Sequence, residues 1–239
     1  MRIKNTGRWM GIVTALMLSS TVSAYEAITV SNGGTISGKI SFSGALPANP
    51  VLDITKDKEV CGTSIKADYY VGTGGGLGNV VVAIEKIDKG KAYNKKKIIA
   101  FDNKDCMFIP HVTTAVKRQK LGINNSDPVL HNTHLYYGAK LKTMYNIALP
   151  LQNKVIKKKI RKTGVVTVKC DAHEWMLGYV YVSKHPYATV SAANGSFAIK
   201  DVPAGSYKIK IWHEKLGEVS KDVIVTAGGT SKLNHSFSK

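Results

Sequence analysis

The run Cys170-Asp171-Ala172-His173-Glu174-Trp175-Met176 places a thiol, an imidazole and a thioether within seven residues. GVVTVKC (164–170) leads into it and Tyr179 to Val182 leads out of it, both with the β-branched content of short strands. The three donors therefore sit on a tight loop between two strands. A further donor, His131 or His134, comes from SDPVLHNTH (126–134). Two imidazoles, one thiolate and a long thioether bond suit copper in electron transfer, because that set lies between the geometries preferred by the two oxidation states. The competing reading makes Cys170 a buried thiol, Met176 core filling and His173 a loop cap, as cysteine and methionine often pack in interiors.

Working outward, the chain reads as strands almost throughout. GTISGKISFSG (34–44) alternates around small residues, and Val80 to Ile84 is a continuous apolar run of strand length. Lys140 to Leu151 is ambiguous. From Lys184 a second module begins, with SFAIK (196–200) and SYKIKIWH (206–213) alternating between the turns at Asn194-Gly195 and Pro203-Ala204-Gly205. No long amphipathic helix is evident, so the class is all-β. The expected divisions are a leader at 1–24, a first domain with an N-terminal extension at 25–183, and a small sandwich at 184–239.

The leader has Arg2, Lys4 and Arg8, then an apolar stretch from Trp9 to Leu18, then the small residues Val22-Ser23-Ala24. That is the pattern of an export signal, too short to span a bilayer. Export implies a periplasmic or extracellular place and an oxidising environment. Of the three cysteines, Cys61 and Cys106 then most simply pair, which leaves Cys170 free for a metal. The net charge is +18, and removing the leader's three cations leaves +15. Such a charge favours acidic partners and anionic surfaces without choosing among them. Dense runs at Lys95 to Lys97 and Lys154 to Lys162 read most simply as solvated faces.

These elements, HNTH (131–134) and CDAHEWM (170–176) above all, resemble the copper-binding elements of the cupredoxins, with the short loop of amicyanin-type members. Together with VCG at Cys61, CMFIPHV, NGSFAIKDVPAGSY and IWHEKLG, the chain resembles exported bacterial proteins grouped as methylamine utilisation or plastocyanin-like proteins. The resemblance implies a Greek-key cupredoxin sandwich followed by a transthyretin-like module similar to the carboxypeptidase regulatory domain. It implies one type 1 copper held by His131, Cys170, His173 and Met176. It further implies single-electron exchange with a c-type cytochrome or quinoprotein, which the positive charge would suit to an acidic docking face.

Several residues fall outside that set. His134 lies three positions after His131, and such positions face opposite sides of a regular strand. With His111 it makes a possible second copper or zinc site, against a plainer reading as surface hydrogen bonding. Asn132 is placed to hydrogen-bond the Cys170 loop. Trp175 is placed to shield the metal or to form an apolar docking patch around an exposed His173. Trp212-His213-Glu214 reads as a core aromatic with a polar loop closure. Gly72 to Gly76 lacks the residues of a phosphate loop, and neither Gly-x-Ser-x-Gly nor His-Glu-x-x-His occurs. The chain is therefore expected not to be an enzyme and to lack a specific nucleic-acid role. The rival readings are a copper chaperone or sensor, which dispersed methionines do not favour, and an envelope binding or structural protein.

Overall fold

The computed structural model describes residues 24–238, so residues 1–23 of the expected leader lie outside the described part. Four β-sheets stack in series and enclose three apolar layers. The first sheet holds Ile156–Lys159, Lys120–Asn125, Ile98–Lys104 and Met107–Ile109 in that order. The second holds Lys142–Leu149, His131–Tyr137, Gly164–Lys169, Leu177–Ser183 and Val112–Val116. Phe101, Phe108, Leu121, Ile123, Leu135, Val166, Val168 and Val180 fill the space between them. These two sheets form the first sandwich, and the ambiguous stretch at 140–151 is its edge strand, paired with His131–Tyr137.

The third sheet holds Ala188–Val190, Val81–Ile84, Gly205–His213 and Gly217–Val225. The fourth is built on Gly34–Phe42, flanked by Ser196–Val202, Thr230–Lys232 and His235–Phe237. Ile36, Ile40, Val82, Ile84, Phe197, Ile199, Ile209 and Ile211 make their common core. This corrects the expected boundary at 183/184. The six strands of the C-terminal part cannot close a core alone, because Gly34–Phe42 carries three of the fourth sheet's pairings and Val81–Ile84 pairs with two strands of the third. The first sandwich is thus an insertion. The chain leaves the second sandwich after Ile84 and returns beside it, where Ile84 N–H donates to the Tyr187 carbonyl at 3.0 Å.

The apolar run at 80–84 has a direct physical reason. Val82 and Ile84 face the second core, while Val81 and Ala83 face the first sandwich and meet Val112 and Tyr181. A strand buried on both faces needs no polar alternation. Trp212 packs in this middle layer rather than in the core of its own sandwich. No helix among the described residues is long and apolar enough to cross a membrane.

Candidate metal centre

His131 opens one strand of the second sheet, and the 170–176 loop joins two others, so sheet pairing brings both to one end of the first sandwich. Cys170 follows Lys169, whose strand partner is His134. The loop closes tightly, with Met176 N–H donating to the His173 carbonyl at 3.0 Å. Gly178 fits closely just beyond, as a Cβ there would stand 3.0 Å from that of Phe108 and 3.2 Å from the His111 carbonyl.

Three of the expected donors converge. Nδ1 of His131 and Nδ1 of His173 are 2.9 Å apart, and Sγ of Cys170 lies 3.9 Å from the first and 3.6 Å from the second. The point equidistant from all three is about 2.0 Å from each, the length of an imidazole–metal bond. All three residues are buried, and Met176 is buried in the same core cluster.

The far side of each imidazole explains why the near nitrogens face inward. His131 Nε2 donates to Asp127 Oδ2 at 2.9 Å, and His173 Nε2 donates to Asp57 Oδ2 at 2.8 Å. With a proton on each Nε2, both Nδ1 atoms present lone pairs. Two lone pairs aimed at each other at 2.9 Å repel unless a cation lies between them. Carboxylates behind metal-binding imidazoles are the usual means of fixing tautomer and ring orientation. Burial pushes the Cys170 thiol pKa up, against N–H groups of Asn132, Ala172 and His173 that favour the thiolate. Burial also lowers the His131 pKa, with His173 adding to the effect and Asp127 opposing it. A metal ion reverses the balance for the thiol, since coordination deprotonates it.

Asn132 bridges the two halves as expected. Its N–H donates to Cys170 Sγ at 3.4 Å, and its Oδ1 accepts from the N–H groups of Asp171 and Ala172. Trp175 lies with its ring centroid 5.0 Å from that of His173, and its Nε1 donates to the Cys106 carbonyl at 3.0 Å. Cys61 and Cys106 are joined in a disulfide.

One expectation is overturned. His173 is fully buried rather than exposed at a docking patch. Asp57 covers its outer nitrogen from the turn before the short helix Lys58–Cys61, which the disulfide ties to Cys106. Cys106 N–H in turn donates to Asp127 at 2.9 Å, so a single covalent link connects the supports of both imidazoles. Asp57 carried no signal in the sequence, since 116 residues separate it from His173. Asp127 read as part of a turn and of the motif leading to His131, with no role of its own.

His111 and His134 do not form a second centre. His111 is buried between Asp68, 3.0 Å from its Nδ1, and Glu214, which contacts its Nε2. His134 bonds Asp171 at 2.9 Å and Thr143 at 2.8 Å on the outer face. Each ring is spent on its own partners, and neither residue belongs to a cluster of potential ligands among the described residues. Glu214 closes the contact between the sandwiches, not a loop within its own.

A family described as polysaccharide lyase family 4, domain II, matches residues 159–233, which run from the first sandwich into the second. No curated protein matches. Solved structures similar to the chain include a purple cupredoxin from Nitrosopumilus maritimus, at 20% identity over 36% of this chain and 99% of that one, with a TM-score of 0.31. An oxidised alanine mutant of amicyanin matches at 17% identity over 36% of this chain and 82% of that one, with a TM-score of 0.33. A copper-containing nitrite reductase from Thermus scotoductus matches at 15% identity over 39% of this chain and 24% of that one, with a TM-score of 0.32.

Proposed function

We propose that the chain is an exported carrier of single electrons that holds one copper ion through His131, Cys170, His173 and Met176. The observation that carries this reading is the convergence of two imidazole Nδ1 atoms and one cysteine sulfur on a point about 2.0 Å from each. Copper bound there would supply a one-electron couple, and the His2Cys set with a weak thioether is the donor combination suited to it.

The chain's own residues do the rest. Asp57 and Asp127 hold the imidazoles in one tautomer and one orientation. Asn132 pins the thiolate loop to the His131 strand. The surrounding core excludes water and resists rearrangement when charge changes. Four protein donors leave no position for a substrate, which favours a carrier over an enzyme. The location follows from the expected leader, and the partner is expected to be a c-type cytochrome or quinoprotein.

Titration of the reduced chain from Tyr25 onward with Cu(II), followed by visible absorption and electron paramagnetic resonance, tests the assignment. One equivalent should give an intense thiolate-to-copper band, and Cys170→Ser should remove it. Folded, reduced protein that takes up no copper would overturn the reading and favour an envelope binding role. Binding without reversible voltammetry would favour a chaperone.

A further inference from the structure

The first sandwich gathers most of its cations at one end of the strand axis, with Lys104, Lys154 and Lys169 toward the other. Lys120 pairs with Lys159 and lies opposite Ile98, so Lys95 to Lys97, the Lys117-Arg118 turn and Arg161-Lys162 meet at one end. Arg118 N–H donates to the Ile160 carbonyl and Lys117 N–H to that of Ser183, which joins the two sheets there. Tyr137 pairs with Lys142, so the hairpin carrying Lys140 and Lys142 reaches the same end. Eleven exposed cations thus gather from four separate stretches: Lys95, Lys96, Lys97, Lys117, Arg118, Lys120, Lys140, Lys142, Lys159, Arg161 and Lys162. The sequence contains no acid from 89 to 101, from 106 to 126, or from 128 to 170. Among the described residues none of the eleven forms an ion pair. Glu85 and Asp88, from the second sandwich, face Thr163 and Gly164 at the margin.

The acids of this sandwich, Asp102, Asp105, Asp127, Asp171 and Glu174, all lie toward the other end, where the candidate metal centre is. The distance from Lys120 to Asn125 along their strand is roughly 17 Å. The cationic end is therefore remote from the candidate metal centre. It also carries apolar side chains among the lysines. Leu141, between Lys140 and Lys142 at the hairpin tip, is 43% exposed, and Ile98 is 39% exposed.

We infer that this end binds the surface of a bilayer containing anionic phospholipid, with the metal end directed away. Nine of the eleven cations are lysine, which act as mobile point charges rather than bidentate forks. That suits a fluid field of headgroups, toward which clustered basic residues add attraction one by one. Leu141 supplies an apolar contact at the boundary, where a flat acidic protein or soluble polyanion would gain nothing from it.

The test is co-sedimentation of the chain from Tyr25 onward with vesicles of phosphatidylcholine, with or without one third phosphatidylglycerol. Binding is expected only with the anionic lipid, and should be lost as salt rises from about 0.1 M to about 1 M. A Lys140→Glu/Lys142→Glu/Lys162→Glu variant should bind about a hundredfold more weakly or worse. Lys154→Glu/Lys221→Glu/Lys232→Glu changes net charge equally but away from this end, and should lose far less. Leu141→Ser, a single change at an exposed tip, should weaken vesicle binding while leaving binding to soluble polyglutamate unchanged. Equal losses in the two triple variants would overturn the inference, as would tight binding to polyglutamate with none to vesicles.

Discussion

Asp57 Oδ2 stands 2.8 Å from Nε2 of His173, across 116 residues of sequence, and covers the one imidazole that the loop alone would leave at the surface. The cap that carries Asp57 is tied at its tip by Cys61–Cys106, as its short helix buries no residue, and anchored at its base by the pairing of Val51–Asp53 with Ser64–Lys66 and by buried Ile54. Metal access and imidazole orientation therefore depend on a segment outside the sandwich that supplies the donors.

Asp57→Asn keeps a hydrogen-bond acceptor but removes the charge that makes His173 a stronger donor. Oxidised copper loses more from that than reduced copper. The potential should rise on the order of 50 mV, about sevenfold in the equilibrium for one electron. Cu(II) affinity should fall about 10- to 100-fold, as for other supports behind a ligand. Voltammetry and competition with a chelator measure the two effects, and an unchanged potential would remove Asp57 from the site.

Cys61→Ser/Cys106→Ser should cost about 2–5 kcal/mol in urea denaturation. Its more telling effect is kinetic: with the cap released, a chelator should strip copper faster than from the parent at the same temperature. Equal stripping rates would mean that the cap stays closed without its link.

An isolated fragment 184–239 should fail to fold. It lacks Gly34–Phe42 and Val81–Ile84, and hence Ile36, Ile40, Val82 and Ile84 from its core. Circular dichroism should show no cooperative thermal transition, whereas a native-like melt would restore the boundary at 183/184.

Stability should peak near neutral pH. Burial lowers the pKa of His185 and His213 to about 4. Folding thus favours their neutral forms, so this stability is complete above about pH 6.5 and is lost as pH falls toward 4, on the order of 3 kcal/mol per histidine. His111 works in the opposite direction. Burial opposes its proton, but Glu214 and Asp68 outweigh burial and raise its pKa. Its contribution is complete below about pH 6.5 and fades as pH rises through the raised value. Urea midpoints across pH should therefore trace a dome, and His111→Gln should flatten the alkaline side alone.

The donor loop was legible because chain connectivity holds Cys170, His173 and Met176 within seven residues, whereas the residue pattern left His131 and His134 open as the further donor and only the resemblance chose between them. Strand identity was legible at 196–200 and 206–213, where one face is wet. Sandwich membership was not. Val81 to Ile84 looks the same whichever core it enters, and only its pairing with Gly205–His213 and Ala188–Val190 assigns it. The same limit hid Asp57 and the cationic end. Both arise from juxtapositions between distant stretches, which local pattern does not encode.

The double crossing at Ile84 and Tyr187 has a mechanical result. A module joined by one linker can swivel about it; a module spliced in at two neighbouring points and seated on Val81, Ala83 and Trp212 cannot. A molecule docked anywhere on the second sandwich would accordingly find the donor loop at a fixed range and bearing, as a bracket bolted twice holds its lamp.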